Sequence, residues 1–379
     1  MTDETASRTK KRVAVLFGGQ SDEHDVSLRS AQTIINALDP AKYDVISLGI
    51  TREGRWLAGD DPMQALTAAS PMFQLKHGGG GMENGGAASA PISSPPSSAL
   101  AAHGGASLPA EFAGSVDIVF PAIHGPMGED GTVQGFLELT GVPYIGSGVL
   151  GSAAAMDKAF TKHLLTQAGL PQLPWVQVLR RDWELDPEAI EAMVEEKLGF
   201  PSFVKPANMG SSVGVSKARN AEELHAGLRT AALYDRKIVV EQGLNAREIE
   251  LAVLGNDDPI VSVAGEVVPA GEFYDYNAKY IDDDAQLLIP AEIAPDLLLQ
   301  MQQMAIDAFH ALDLAGMARV DFFVERETDR IFVNEVNTIP GFTSISMYPM
   351  LWQASGVPLG SLVERLIELG LERSAENHR

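Results

Sequence analysis

Two acids near the C-terminus, Asp321 and Glu335, stand in short apolar runs that read as paired strands. The runs are Arg319-Val320-Asp321-Phe322-Phe323-Val324 and Ile331-Phe332-Val333-Asn334-Glu335-Val336-Asn337, joined by a polar turn. Strand side chains alternate faces, so Arg319 shares a face with Asp321, and Glu335 shares one with Asn337. A turn centred on Thr328 sets Asp321 opposite Glu335 and Arg319 opposite Asn337. Directly opposed like charges destabilise a strand pair, and burial among Val and Phe adds a desolvation cost. A divalent cation relieves both. The donors are oxygens, which selects Mg²⁺ or Mn²⁺ over zinc, and Mg²⁺ is commonly shared between carboxylates and substrate phosphates. The alternative is a solvated hairpin whose acids face water.

A second group surrounds a loop of small residues. Phe203-Val204-Lys205-Pro206 leads into Asn208-Met209-Gly210-Ser211-Ser212-Val213-Gly214. Small residues let backbone N–H groups approach phosphate oxygens, Ser hydroxyls add donors, and Lys205 brings positive charge to the strand end. The Walker pattern G-x-x-x-x-G-K-[ST] is absent. A plain turn is the alternative for the loop, and a surface lysine is the alternative for Lys158.

These residues need elements to hold them. Residues 12–17 read as a buried strand ended by Gly18-Gly19, with a helix over 26–38, the opening of a doubly wound α/β domain. Further strands are expected over 45–50 and 117–123, and a helix over 132–140. Between them, residues 77–109 are almost all Gly, Ala, Ser and Pro, which bury too little apolar area to offset ordering, and read as a flexible insertion. Helices over 157–168, 187–198 and 221–233 alternate with strands over 173–179, 201–205 and 237–241. Strands over 248–254 and 260–267, a helix over 295–312, the acidic hairpin and a helix over 359–369 complete the chain. The expected domains are 1–150, 151–243 and 244–379.

The chain has 379 residues and a formal charge of −23, with 28 Lys and Arg against 51 Asp and Glu. Such a surface repels phosphate backbones and anionic lipid, so neither nucleic acid nor membrane is an expected partner. There are no cysteines, which excludes disulfides, thiolate metal sites and Cys nucleophiles. No apolar stretch approaches the roughly 18–20 residues of a membrane span. The polar first twelve residues do not read as a secretory signal. A cytoplasmic protein acting on small molecules is expected.

Several segments, in one order, resemble the ATP-grasp superfamily and, within it, the D-alanine–D-alanine ligases. They are Leu16-Phe17-Gly18-Gly19 with Ser21 to Ser27, His124-Gly125 through Gly128-Glu129-Asp130-Gly131, Met156-Asp157-Lys158, the Lys205 strand with its Gly/Ser loop, Phe273-Tyr274-Asp275-Tyr276 with Ala278-Lys279-Tyr280, Arg319-Val320-Asp321, and Asn334 to Thr338 with Pro340 to Thr343. The resemblance implies an α/β protein of the α+β ATP-grasp kind: a doubly wound parallel-sheet domain followed by two ATP-grasp domains. It implies that one D-alanine carboxylate attacks the γ-phosphate of ATP, and that a second D-alanine amine attacks the resulting acyl phosphate.

Carried over residue by residue, the resemblance gives Asp321, Glu335 and Asn337 to two Mg²⁺ (or Mn²⁺) ions. Lys158 and Lys205 fall to the α- and β-phosphates, Lys279 to the γ-phosphate, and Ser212 to the same nucleotide-covering loop. Glu241 and the Leu244 backbone mark the adenine hinge, and Glu248 the ribose. Glu23 pairs with the first ammonium and His124 lines that pocket; a hydrogen-bonded strand-end histidine is the alternative. Arg319 and the Gly341 N–H stabilise the oxyanion, and Ser346 binds the second carboxylate. Ser211 and Tyr280, linked to Glu23, close the loop and orient the attacking amine. The resemblance also implies a homodimer.

The rival readings are a D-alanine–D-lactate or D-alanine–D-serine ligase, a non-catalytic ATP-binding module, and an ATP-grasp enzyme with another acceptor. In the family, Tyr at the position of Tyr280 goes with D-alanine, and Phe or His with D-lactate. Tyr280→Phe is therefore expected to raise D-lactate use relative to D-alanine at neutral pH. Chromatographic analysis of the two products checks this, and an unchanged ratio removes Tyr280 as the basis of the choice.

Overall fold

The computed structural model describes residues 10–59, 61–70, 114–268 and 286–377. The 77–109 insertion and the 273–280 segment, with Lys279 and Tyr280, lie outside the described residues.

The N-terminal part runs β1 (Lys11–Gly18), α1 (His24–Ala37), β2 (Tyr43–Ile50), β3 (Trp56–Leu57), α2 (Pro62–Ala69), β4 (Ile118–Pro121), α3 (Thr132–Thr140) and α4 (Val149–Met156). The sheet order is β3-β2-β1-β4, with β1 parallel to both β2 and β4 and β3 antiparallel at the edge. From Val13 onward β1 is buried on both faces, as its unbroken apolar run requires in a parallel sheet covered by helices.

Next come α5 (Lys158–Gln167), β5 (Trp175–Leu179), α6 (Arg180–Leu185), α7 (Pro187–Leu198), β6 (Ser202–Pro206), β7 (Ser216–Ala218), α8 (Ala221–Tyr234) and β8 (Lys237–Gln242). The strands form an antiparallel sheet of order β5-β8-β6-β7. Side-chain caps start these helices where the sequence offers them. Asp157 accepts from the N–H groups of Ala159 and Phe160, Asp186 from that of Ala189, and Asn220 from that of Glu223.

The C-terminal part runs β9 (Ala246–Gly255), β10 (Ile260–Val268), β11 (Gln286–Leu288), α9 (Pro295–Ala311), β12 (Gly316–Glu325), β13 (Ile331–Asn337), α10 (Met347–Ala354) and α11 (Leu359–Asn377). Its antiparallel sheet has the order β11-β10-β9-β12-β13. One face carries Leu251, Val253, Val320 and Val324 into a core with Met301 and Phe309 of α9. The opposite face is apolar at Ala252, Leu254 and Met317. These join a core with Phe17 and Phe120 of the N-terminal sheet and Tyr348, Trp352 and Leu366 of α10 and α11. Farther along that face the residues become Glu248, Glu250, Arg319 and Asp321, so packing gives way to a polar site within one sheet.

The last helix passes Leu369, where the sequence suggests an end. At Gly370 a side chain would meet Ile118 Cδ1 at 2.8 Å and the Tyr144 carbonyl oxygen at 3.0 Å. The glycine lets α11 close onto β4 rather than terminating it. Three eight-residue helices, α2, α4 and α10, lie where the sequence reading sets no element. Among the described residues, no helix is long and apolar enough to cross a membrane.

Candidate active site

The hairpin has the expected pairing, reached by a different route. Arg319 lies opposite Asn337 and Asp321 opposite Glu335, but Phe322 pairs with Val333. The turn is therefore not centred on Thr328. A bulge at Asn334 adds one residue and restores the register at the acids. Asn334 Oδ1 is buried without a hydrogen-bond partner.

On its other side Asp321 lies opposite Glu250 of β9. Three carboxylates thus cross three adjacent strands in a row. Arg319 sits among them: Nε is 2.7 Å from Asp321 Oδ1 and 2.9 Å from Glu250 Oε2, and Nη2 is 2.7 Å from Asp321 Oδ2. Burial disfavours the guanidinium charge, but Asp321 and Glu250 more than offset it and hold Arg319 protonated. Asn337 Nδ2 donates to Asp321 Oδ2 at 3.0 Å. The sequence argument gave relief of the acid–acid repulsion to a metal alone, whereas in the fold Arg319 carries part of it.

A metal ion fits this donor set. Two carboxylates, an amide and the unpartnered Asn334 carbonyl oxygen are hard donors on one stretch of sheet. Among the described residues no three acidic or imidazole side chains form a metal-holding group by themselves. Coordination here must be completed by substrate oxygens or water.

These residues line a cleft of about 570 Å³, together with Lys158, Lys205, Ser211, Ser212, Glu241, Leu244 and Glu248. Lys158 Nζ donates to the Met209 carbonyl at 2.6 Å, tying α5 to the Gly/Ser loop. In that loop Ser211 and Ser212 both take left-handed backbone, φ 48° and 60°. Such conformations cost of order 1 kcal/mol or more each and cluster at ligand clamps.

Glu241 is enclosed by two lysines, with Oε1 3.2 Å from Lys162 Nζ and Oε2 3.0 Å from Lys205 Nζ. Burial alone would push its carboxyl up, but the two ammonium groups override that and hold it at about 2. Burial also lowers the Lys162 pKa despite Glu241, whereas at Lys205 the attraction of Glu241 and Glu335 outweighs burial and raises it. The sequence reading missed Lys162; its signal is the i, i+4 spacing from Lys158, which puts both on one helix face. Glu250 was missed too, although it shares a strand face with Glu248.

Glu23 closes the far side of the Gly/Ser loop. The Ser211 hydroxyl donates to Glu23 Oε1. The loop backbone comes so near that a side chain at Gly210 would meet Glu23 Oε2 at 2.8 Å. Glu129, unassigned from sequence, accepts from the N–H of Gly125 at 2.6 Å and of Ile339 at 3.3 Å. Burial, then the charge of Glu23, pushes its carboxyl up to about 8.

His124 lies outside the cleft lining, only 3% exposed. Its Nδ1 is 3.0 Å from the Ile339 carbonyl oxygen and its Nε2 2.9 Å from Ser30 Oγ. A carbonyl only accepts, so Nδ1 carries the proton and Nε2 accepts from Ser30. Burial lowers the imidazole to about 4, which keeps this neutral tautomer near pH 7. Both ring nitrogens are therefore used within the protein, as in the strand-end alternative. Gly341 and Ser346 are neighbours: a methyl group at Gly341 would sit 2.8 Å from Ser346 Oγ. That oxygen also accepts from the Thr343 N–H at 3.0 Å.

Comparison with known proteins bears on this arrangement. Residues 12–147 match the family described as D-ala D-ala ligase N-terminus, and residues 164–368 the one described as D-ala D-ala ligase C-terminus. A D-alanine--D-alanine ligase of Heliobacterium modesticaldum is 49% identical over 370 residues, 98% of this chain and 97% of the relative. One from Geobacillus thermodenitrificans is also 49% identical, covering 97% of each chain. The solved D-alanine-D-alanine ligase of Coxiella burnetii superposes with a TM-score of 0.78 at 36% identity, over 98% of this chain and 97% of its own. The VanG D-Ala:D-Ser ligase of Enterococcus faecalis gives 0.77 at 32% identity, over 95% and 99%. With both halves of the sequence matched, the hairpin acids and the lysines lining one cleft, and Glu23 bonded from outside that lining to Ser211 of its Gly/Ser loop, the chain belongs to the D-alanine–D-alanine ligase family of ATP-grasp enzymes.

Proposed function

We propose that this enzyme joins two D-alanine molecules into D-alanyl-D-alanine, converting ATP to ADP and phosphate, as a cytoplasmic step of peptidoglycan precursor synthesis. One observation carries the reading: the Ser211–Glu23 hydrogen bond sets an anion for an amino-acid ammonium against the loop that covers a lysine-lined cleft. The two substrates thereby meet at one place.

In this reading Lys158 and Lys205 bind nucleotide phosphates, and Ser211 and Ser212 cover them. Glu241 and the Leu244 backbone face the base, and Glu248 takes the ribose. Asp321, Glu335 and Asn337 hold Mg²⁺ or Mn²⁺, which supplies charge to the triphosphate when bound. Glu23 orients the first D-alanine, so that its carboxylate oxygen forms a bond to the γ-phosphorus as the bond to ADP breaks. The amine of the second D-alanine, oriented by Ser346 through its carboxylate, then attacks the acyl carbon and loses a proton. Arg319 and the Gly341 N–H stabilise the oxyanion before phosphate departs. Lys279 and Tyr280 are assigned to the covering segment by sequence resemblance, and the functional unit is a homodimer on the same ground.

The test is ADP release and product analysis with ATP, Mg²⁺ and D-alanine, then with D-lactate or D-serine added. D-alanine-dependent ADP release with dipeptide as product is expected. ADP release independent of D-alanine overturns the reading, while a mixed D-alanyl-D-serine product as the main species favours the D-serine alternative, to which the VanG likeness gives weight.

A further inference from the structure

We infer that Ser30 and His124 are positioning residues that fix the loop carrying the Gly341 N–H, and that they act through this loop rather than on substrate. The inference rests on the role proposed for Gly341.

Three hydrogen bonds bind this loop to the N-terminal part, and a fourth links two of the anchoring side chains to each other. The Ile339 carbonyl accepts from His124 Nδ1–H at 3.0 Å, and the Ile339 N–H donates to Glu129 Oε1 at 3.3 Å. The Ser30 hydroxyl donates to His124 Nε2 at 2.9 Å, and the Phe342 N–H donates to Ser30 Oγ at 3.1 Å. The path from Ile339 through His124 and Ser30 to Phe342 closes a ring, and Gly341 lies in the loop segment that completes it. Every polar group in the ring is used: the carbonyl accepts, the imidazole donates at one nitrogen and accepts at the other, and the hydroxyl both donates and accepts.

Ser30 is fully buried on α1 and cannot touch substrate. The same helix begins directly after Glu23, so one rigid element connects the ammonium site with the loop. At about 1.5 Å per helical residue, Glu23 and Ser30 stand roughly 10 Å apart along it. The Phe342 side chain is held independently: its ring packs edge-on against Phe120 with centroids 5.8 Å apart. Apolar packing thus keeps the loop in place broadly, while the Ser30–His124 ring sets the direction of its amide groups. Oxyanion donors act only when aimed at the developing charge, and a misplacement of about 1 Å can cost a hundredfold in rate.

The experiment measures Ser30→Ala, His124→Asn and the double variant for kcat, for KM of ATP and for melting temperature. Ser30→Ala should lower kcat about tenfold or more while leaving KM for ATP within about twofold and the melting temperature within a few degrees. The double variant should be no slower than the slower single one, because both break one ring. A wild-type kcat in Ser30→Ala overturns the inference, as do additive losses, or a kcat loss that follows a collapse of melting temperature and ATP binding. If the wild-type enzyme itself shows no D-alanine-dependent ADP release, it is the ligase reading that fails.

Discussion

Replacing Arg319 with methionine is expected to lower kcat by about three orders of magnitude and stability by about 3–5 kcal/mol. Both effects follow from one geometry. The guanidinium lies between Asp321 and Glu250, and Glu335 stands across the strand from Asp321. Methionine fills a similar volume, so the loss is electrostatic: three acids on adjacent strands are left without the cation they share. On the proposed mechanism, the same change also removes a charge that stabilises the oxyanion. Arg319→Lys restores a charge but not the two-pronged contact with Asp321, and should recover only part of the rate. Steady-state kinetics and urea unfolding of the two variants check this. Unchanged stability in Arg319→Met would show that the row of acids does not depend on the guanidinium.

Glu241→Gln is expected to destabilise the free enzyme by about 3 kcal/mol, because it leaves two buried lysines facing each other without the carboxylate between them. The acid limb of stability should change with it. In the folded wild type the Glu241 carboxyl sits at about 2, against an ordinary value of 4.5. A depressed carboxyl stabilises the fold fully above its unfolded pKa, and that contribution is lost as pH falls from about 4.5 towards about 2. The variant should therefore show a flatter decline in that window. On the proposed nucleotide reading, ATP phosphates bring negative charge to this lysine pair, so nucleotide should raise the melting temperature of Glu241→Gln more than that of wild type. Thermal melts across pH, with and without ATP, measure both outcomes. A wild-type acid limb in the variant would separate Glu241 from the acid sensitivity of the fold.

Local patterning determined much of this protein. The apolar run at Val13 to Phe17 specifies a strand buried on both faces, and Asp186-Pro187 or Asn220-Ala221 specify where helices begin, because caps and alternation are read over a few residues. The acids of the hairpin also pair as the local pattern suggests, but there the Asn334 bulge, not the turn, sets the register. The sequence did not reveal α2, α4 and α10, since eight-residue helices depend on packing more than on propensity. Nor did it reveal the Asn334 bulge, the placement of Lys162 beside Glu241, or the sharing of Arg319 by two acids.

The clearest division lies at His124. From sequence it could line a substrate pocket or end a strand as a satisfied side chain. Its partner Ile339 is 215 residues away, and Ser30 meets Phe342 across 312 residues. Contacts at such separations leave no periodicity or spacing in the chain, because they exist only once the N-terminal and C-terminal cores have merged. Local rules settled which residues could carry charge, donate or accept. Only the tertiary packing decided which of those groups are used against one another and which are turned toward the cleft.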